Sequence, residues 1–345
     1  MNSRVEKLRE KLEEPLIVTT PANVRYLTGF ASSNVSVTVE PERVRLFTDF
    51  RYAEAARAVP GVEFVETRRE VVAHMAELLS GRFGFESPHV TYQNYEQLRD
   101  GGVELVPCAG LIESLRAVKD EDELAKIRRA AAITDQAYER LAEERFVGRT
   151  ERELAWRMTE LFHELGADEA AFETIVATGA NGARPHADPG DRVIESGTTI
   201  VVDAGAMLDG YCSDCTRTFA TGPLPDELRR AYDVCLEAQL KGLEAARSGV
   251  DAKQTDSAAR TVIDEAGFGR NFGHGLGHGV GIDVHEAPRV ASTSTDSLAA
   301  NNVVTIEPGI YLEGSGGVRI EDLVVVTDGE PEVLSSFPKE LVTVG

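Results

Sequence analysis

Long apolar runs are missing from this sequence. No stretch approaches 18 apolar residues, and the mean hydropathy is -0.20. A helix that crosses a bilayer needs about 20 such residues, so no membrane span is expected. The opening residues, MNSRVEKLREKLEE, read as a charged helix with no apolar core, and no secretory signal is expected. Cysteine is limited to Cys108, Cys212, Cys215 and Cys235. Without a signal, a reduced, cytoplasmic chain is the default. Cys212 and Cys215 form a C-x-x-C, but no second pair of soft ligands stands at zinc spacing, so they read as two small strand residues. Basic charge is scarce: Asp and Glu number 58 against 36 Lys and Arg, a net charge of -22. That field repels phosphate backbones and argues against a nucleic-acid partner. Only 7 of the 36 basic residues are Lys, which leaves 29 Arg. Abundant carboxylates with little Lys suit a protein kept soluble in concentrated salt, where screening removes self-repulsion. An acidic protein from a GC-rich genome has the same composition.

What is present is a globular chain. With 345 residues, 42% hydrophobic and 27% charged, it is long enough for two domains and a large unstapled core. The first part reads as α/β. PLIVTT, VSVTVE, VRLFTDF and RFGFE are strand-like, with Pro41-Glu42 as a turn. NVRYLTGF is a helical turn closed by Gly29, RYAEAARAV is a short helix ended by Pro60-Gly61, and EVVAHMAELLSG repeats apolar residues at helical spacing. A boundary falls near Glu113–Lys119, giving domains 1–116 and 117–345. A connecting helix then carries Leu124, Ile127, Ala131, Tyr138 and Leu141 on one face. Thr150 and Glu153 form a capping box for the next helix, whose stripe is Leu154, Met158, Leu161 and Leu165 before Gly166. Strands are expected near 173–178 and 199–221, a helical pair over 226–268 split near Gly249, and strands again to the end.

Two segments of this second part share a pattern: TTIVVDAGAMLDGYCSDCTRTF and NVVTIEPGIYLEGSGGVRIEDLVVV. Each is an apolar strand with a carboxylate, a Gly-rich turn, and a return strand with a second carboxylate. The spacing is 11 residues from Asp203 to Asp214 and 14 from Glu307 to Glu321. Asp214 is expected inside its strand, on one face with Thr216 and Thr218. The pattern suggests two half-domains facing each other across a cleft.

Three of the seven histidines, His274, His278 and His285, lie in GHGLGHGVGIDVHE, and His186 lies in the loop TGANGARPHADPG. The spacing is not that of a helical H-E-x-x-H. Asp203, Asp214, Glu307 and Glu321 cannot all ionise close together without cations. With one or two His they match a carboxylate-bridged two-metal site, whose ions share a bridging water or hydroxide and drive hydrolysis. Oxygen-rich ligation with one imidazole favours Mn²⁺, with Co²⁺ or Zn²⁺ as alternatives.

These motifs resemble the pita-bread metallopeptidase family of prolidase (Xaa-Pro dipeptidase), aminopeptidase P, methionine aminopeptidase and creatinase. The match rests on Asp203 in VVDAG, Asp214 in SDCTRTF, His278 in GHGLGHGVGIDVHE, Glu307 in TIEPGIY and Glu321 in GVRIEDLVVV. NVRYLTGF and LFTDFRYAEAA resemble the creatinase/prolidase N-terminal domain. The resemblance implies an α/β N-terminal domain followed by an α+β pita-bread catalytic domain with pseudo-two-fold halves. It implies that Asp203 binds one metal, that Asp214 and Glu321 bridge two, and that His278 and Glu307 complete the second, with Glu307 handling the water's proton. His285 and His186 would serve the scissile carbonyl and its tetrahedral intermediate, and His274 would contact substrate. Arg319 would support the ligand carboxylates, and Arg289 is a candidate for the substrate's carboxylate. With all five ligand positions filled, an enzyme is expected. The first reading is an Xaa-Pro dipeptidase and the second an Xaa-Pro aminopeptidase on longer peptides. A silent peptide-binding module and a creatinase-like hydrolase stand behind them. A homodimer is expected from the resemblance alone.

Overall fold

Short apolar strands alternating with short amphipathic helices build the first unit. The computed structural model describes residues 3–345 and divides into two compact units, one ending at Arg116 and the next beginning at Ala117. The first unit contains α1 (Ser3–Arg9), β1 (Leu16–Val18), α2 (Pro21–Thr28), β2 (Val35–Val39), β3 (Val44–Asp49), α3 (Ala53–Arg57), β4 (Glu63–Thr67), α4 (Val71–Leu78), β5 (Gly81–Glu86), α5 (Tyr92–Asp100), β6 (Val103–Cys108) and α6 (Leu111–Arg116). Its six strands form one sheet in the order β4-β3-β2-β1-β5-β6. Strand β2 runs antiparallel to both neighbours, and the other pairs are parallel. A core of Ile17, Phe47, Met75, Phe83 and Leu98 lies between the sheet and its helices. Helix α2 starts on Pro21, whose missing N–H costs nothing there, and stops at Gly29 with φ 73°. The sequence pattern does not mark β4, α5 or β6. Strand β6 lies at the sheet edge, is only half-buried and accommodates Pro107 there.

The second unit contains α7 (Glu121–Ala142), α8 (Glu151–Glu164), β7 (Glu169–Ala170), β8 (Ile175–Thr178), β9 (Thr199–Ala204), β10 (Ala206–Leu208), β11 (Tyr211–Cys212), β12 (Cys215–Ala220), α9 (Asp226–Ala245), α10 (Ala252–Glu265), β13 (Gly277–Gly279), β14 (Glu286–Val290), β15 (Val303–Ile306), β16 (Gly309–Leu312), β17 (Gly316–Arg319), β18 (Asp322–Val325) and β19 (Glu332–Val333). It has two cores. Tyr138, Leu154, Met158, Val202 and Phe219 join α7 and α8 to the sheet β12-β9-β8. Tyr232, Cys235, Ile306, Val318 and Val324 join α9 and α10 to the sheet β14-β13-β15-β18-β19 and the hairpin β16-β17. This is the pita-bread arrangement, two helix pairs each backing its own sheet. The halves meet where the Glu321 N–H donates to Thr216 O at 3.1 Å, and where Arg319 and Thr218 exchange two hydrogen bonds of 2.8 and 3.0 Å.

Both halves of the Thr150/Glu153 capping box form, and a second box, Asp120/Glu123, opens α7. The strands expected over 199–221, one outgoing and one returning, appear as four pieces, β9 to β12. Asp214 lies in none of them: residues 213 and 214 fall between β11 and β12. The interruption frees Asp214 from the strict face alternation that a strand imposes on Thr216 and Thr218. Glu307 and Glu321 also follow strand ends rather than lying within strands, whereas Asp203 is within β9 and His278 within β13. Among the described residues, no helix is long and apolar enough to cross a membrane.

Candidate active site

One cavity of about 520 Å³ in the second unit is lined by Asp203, Asp214, His278, Glu307 and Glu321, and also by His186, His274, His285, Arg289 and Arg319. Strand pairing does most of the gathering. In the β9–β12 pair, Asp203 faces Thr216, and the Thr216 hydroxyl donates to Glu321 Oε2 at 2.7 Å. In the β15–β18 pair, Ile306 faces Asp322, which brings the flanking Glu307 and Glu321 to the same end. Strand β13 crosses β15 so closely that a Cβ on Gly277 would lie 1.9 Å from Thr305 O. Only glycine beside His278 permits that approach.

Backbone carbonyls, which only accept, fix a proton on Nδ1 of His278 and His274. The His278 Nδ1–H donates to Gly279 O at 3.1 Å, leaving Nε2 3.3 Å from Glu307 Oε1 and 3.7 Å from Asp214 Oδ2. The His274 Nδ1–H donates to Gly275 O at 2.8 Å, and its Nε2 accepts from the Tyr311 hydroxyl at 2.9 Å. Both nitrogens of His274 are therefore engaged within the protein. Arg319 is a hub. It donates to Asp203 Oδ2 at 2.6 Å, to the Thr216 hydroxyl at 3.0 Å, to the Tyr311 oxygen at 3.0 Å and to Pro185 O at 3.0 Å. His186 and His285 are exposed, and the His285 ring lies 4.3 Å from that of His278.

The acids do not share one electrostatic state. Burial pushes Asp214 well above the ordinary carboxylate range, and the charges of Glu321, Asp203 and Glu307 push the same way. Burial and the charges of Glu307 and Asp203 likewise push Glu321 well up. Burial raises Asp203, against the pull of Arg319. Burial also opposes the charge on Glu307, but the hydrogen bond and charge of His278 outweigh it and hold that carboxyl at about 2. In return Glu307 raises the pKa of His278 against burial. Burial lowers His274 and His285, and the neighbouring His278 lowers His285 further.

Arg319 offsets only part of the charge of these four acids, so the cluster is short of positive charge. Asp203 Oδ1 is buried with no hydrogen-bond partner, and ligand atoms of Asp214, His278 and Glu321 lie within 4.8 Å of one another. Divalent cations fit this donor set: they stabilise the anionic carboxylates, give the orphaned oxygen a partner, and meet an imidazole whose other nitrogen is anchored to backbone. Cys212 and Cys215, by contrast, are buried thiols whose pKa values burial raises, and they donate to Ile282 O and Glu321 O from opposite sides of Asp214.

Several lining residues escape sequence reasoning. Phe172, Ile175 and Val284 supply an apolar wall. Tyr311 joins His274 to Arg319 across 37 and 8 residues of chain. No local pattern marks any of them, because their significance arises only from contacts distant in sequence.

The chain matches the profile of metallopeptidase family M24 over residues 125–328 and that of the creatinase/prolidase N-terminal domain over residues 4–118. An Xaa-Pro dipeptidase from Pyrococcus furiosus is 34% identical over 99% of this chain and 100% of its own length. The solved Xaa-Pro dipeptidase from Bacillus anthracis superposes with a TM-score of 0.95 at 35% identity, covering 99% of each chain. The solved X-Pro aminopeptidase from Thermotoga maritima superposes at 0.89 with 32% identity, covering 98% of this chain and 100% of that one.

Proposed function

The chain belongs to metallopeptidase family M24 and is a peptidase, and from that premise we propose that it hydrolyses the bond before proline in Xaa-Pro dipeptides. The observation that carries the choice of a dipeptide is Arg289. The residue lines the cavity, its backbone N–H donates to Asp296, and its guanidinium makes no hydrogen bond or ion pair among the described residues. A dipeptide places a free carboxylate one residue beyond the scissile bond, and a guanidinium fork matches that group. Phe172 and Val284 offer the prolyl ring an apolar wall.

In this reading Asp203, Asp214, His278, Glu307 and Glu321 hold two divalent ions, with Mn²⁺ favoured by the oxygen-rich set and Co²⁺ or Zn²⁺ as alternatives. When bound, the ions supply Lewis acidity to the carbonyl and to water. Glu307, which His278 keeps ionised and so able to accept, takes the proton of the attacking water. His285 and His186 donate to the scissile carbonyl oxygen as it gains charge. His274 borders the substrate through its ring, since its nitrogens are occupied. Arg319 holds Asp203 in place while Thr216 holds Glu321. The reading extends to an N-terminal domain over 1–116, a catalytic domain over 117–345, a homodimer and a cytoplasmic location.

The second reading is an Xaa-Pro aminopeptidase, favoured by the likeness to the Thermotoga maritima structure. A paired assay in Mn²⁺ and molar KCl tests the two. The substrates are an Xaa-Pro dipeptide and the same peptide extended past proline. The dipeptidase reading expects cleavage of the dipeptide alone, and a KM for it about 10–100-fold higher in Arg289→Ala. Equal or better cleavage of the extended peptide supports the aminopeptidase. If neither is cut while metal is bound, the proline reading is wrong.

A further inference from the structure

His285 is exposed and sits on an irregular loop, yet a group that meets a developing oxyanion must be fixed to within a fraction of an ångström. The residue after it is tied down through both carboxylate oxygens. The Glu286 side chain is 5% exposed, and each carboxylate oxygen has its own task. Oε1 accepts from the Asp283 backbone N–H at 2.9 Å, closing the loop on itself. Oε2 lies 3.4 Å from Lys119 Nζ, whose side chain is 1% exposed. Gly281 packs against the same carboxylate, where a Cβ would lie 2.7 Å from Oε2. The start of the loop is fixed separately, by the Cys212 N–H donating to Gly281 O at 2.8 Å.

Lys119 is itself anchored. Its backbone N–H donates to Asn301 O at 2.9 Å, and the adjoining Ala117 O accepts from the Asn302 side chain at 2.8 Å. A buried ammonium–carboxylate pair is a poor source of stability, because desolvation offsets most of its Coulomb attraction, whereas it does select one geometry. We propose that Lys119 is a positioning residue for His285: through Glu286 it locks the 281–286 loop so that the imidazole stands beside His278 over the cavity. Lys119 touches no substrate in this scheme. The inference rests on the reading that His285 serves the scissile carbonyl.

The test compares Lys119→Met, Lys119→Arg and the double variant Lys119→Met with Glu286→Gln. The single Lys119→Met leaves a buried carboxylate uncompensated and can fail to fold. The double variant removes both charges and carries the test. Expected for it are wild-type metal content and melting temperature, kcat on the dipeptide lower by about 10–100-fold, and KM within about 3-fold. Lys119→Arg, which keeps a cation, is expected to retain most of kcat. Wild-type kcat in the double variant overturns the proposal. So does a loss of kcat that merely follows lost metal or lost fold. Should wild type cut neither substrate, the function reading fails, and crystal structures still decide the positioning. A 281–286 loop displaced by about 1 Å or more in the double variant supports it, and superposable loops overturn it.

Discussion

Two sets of buried carboxylates, one in each unit, are treated in opposite ways. In the first unit, Glu86 is 5% exposed and saturated with donors: the backbone N–H groups of Thr19 and Thr20 at 2.7 and 2.9 Å, the Thr20 hydroxyl at 2.9 Å and the Asn23 amide at 2.6 Å. Asp49 is clamped by the Arg51 fork at 2.8 and 2.7 Å and by Asn34 at 2.5 Å. The Arg51 hydrogen bonds, with help from Asn34, hold Asp49 well below the usual carboxylate range despite its burial. In the second unit, Asp214 and Glu321 are as deeply buried, but they face other acids and are pushed the other way. Burial alone therefore does not mark a functional acid. Burial with the protein's own donors makes a structural tie. Burial among like charges makes a place for a cation.

The largest effect expected from this contrast is in Asp214→Asn. Removing one acid from the crowded set should abolish tight metal binding and cut activity by about 10³-fold, while leaving the melting temperature in chelator equal to or above that of wild type. Metal analysis and melting curves on one preparation check it. A variant that keeps full activity removes Asp214 from the site, and one that melts lower in chelator erases the contrast. Glu86→Ala should behave conversely. It strands several donors and should lose about 2–4 kcal/mol of stability, read by denaturant unfolding, whether or not metal is present.

Protonation sharpens the same comparison. In chelator, the raised pKa values of Asp214, Glu321 and Asp203 mean that the folded state holds protons more firmly than the unfolded chain. Their contribution to stability is complete below about pH 4 and is lost as pH climbs through the raised values. His278, also raised, loses its contribution above about pH 6.5. Glu307 and Asp49, both lowered, give stability that is present above about pH 4 and is lost only in acid. Below about pH 6.5 the lowered His274 and His285 oppose this trend, so metal-free protein should melt progressively lower from about pH 6.5 to 8, and Mn²⁺ should flatten the curve. A flat curve in chelator would mean that the crowded acids are already neutralised by something other than protons or metal.

How much of this was legible before the structure depends on how local each signal is. The Thr150/Glu153 box is written in four consecutive residues and is readable directly. Asp203 stands out because it breaks an apolar run, and the histidines because glycines crowd them. All ten residues singled out by sequence line one cavity. The strand placement expected for Asp214 does not hold because the break at 213–214 depends on tertiary contacts, including the Ser213 hydroxyl to Thr134, 79 residues away. Lys119 and Glu286 meet across 167 residues, and Tyr311 and His274 across 37. No window of sequence holds both members of either pair.

The smallest expected effect concerns the carboxylates that belong to neither buried set. The chain carries a net charge of -22, and pairs such as Arg57–Glu66 and Arg43–Glu63 lie at the surface. Exposed pairs contribute about 0–1 kcal/mol each and are screened, so their repulsive and attractive parts both fade in salt. The Debye length drops from about 10 Å at 0.1 M to about 3 Å at 1 M, which should relieve net repulsion without reaching buried groups. Wild type should therefore melt a few degrees higher, about 2–4 °C, in molar KCl than in dilute buffer. Glu86→Ala should rise in parallel, so the gap between them stays constant. A wild-type optimum at low salt would sink the reading of the acidic surface as a salt adaptation. A gap that closes in KCl would show that Glu86 acts as a surface charge rather than as an acceptor, and the contrast between the two buried sets would fail at its structural end.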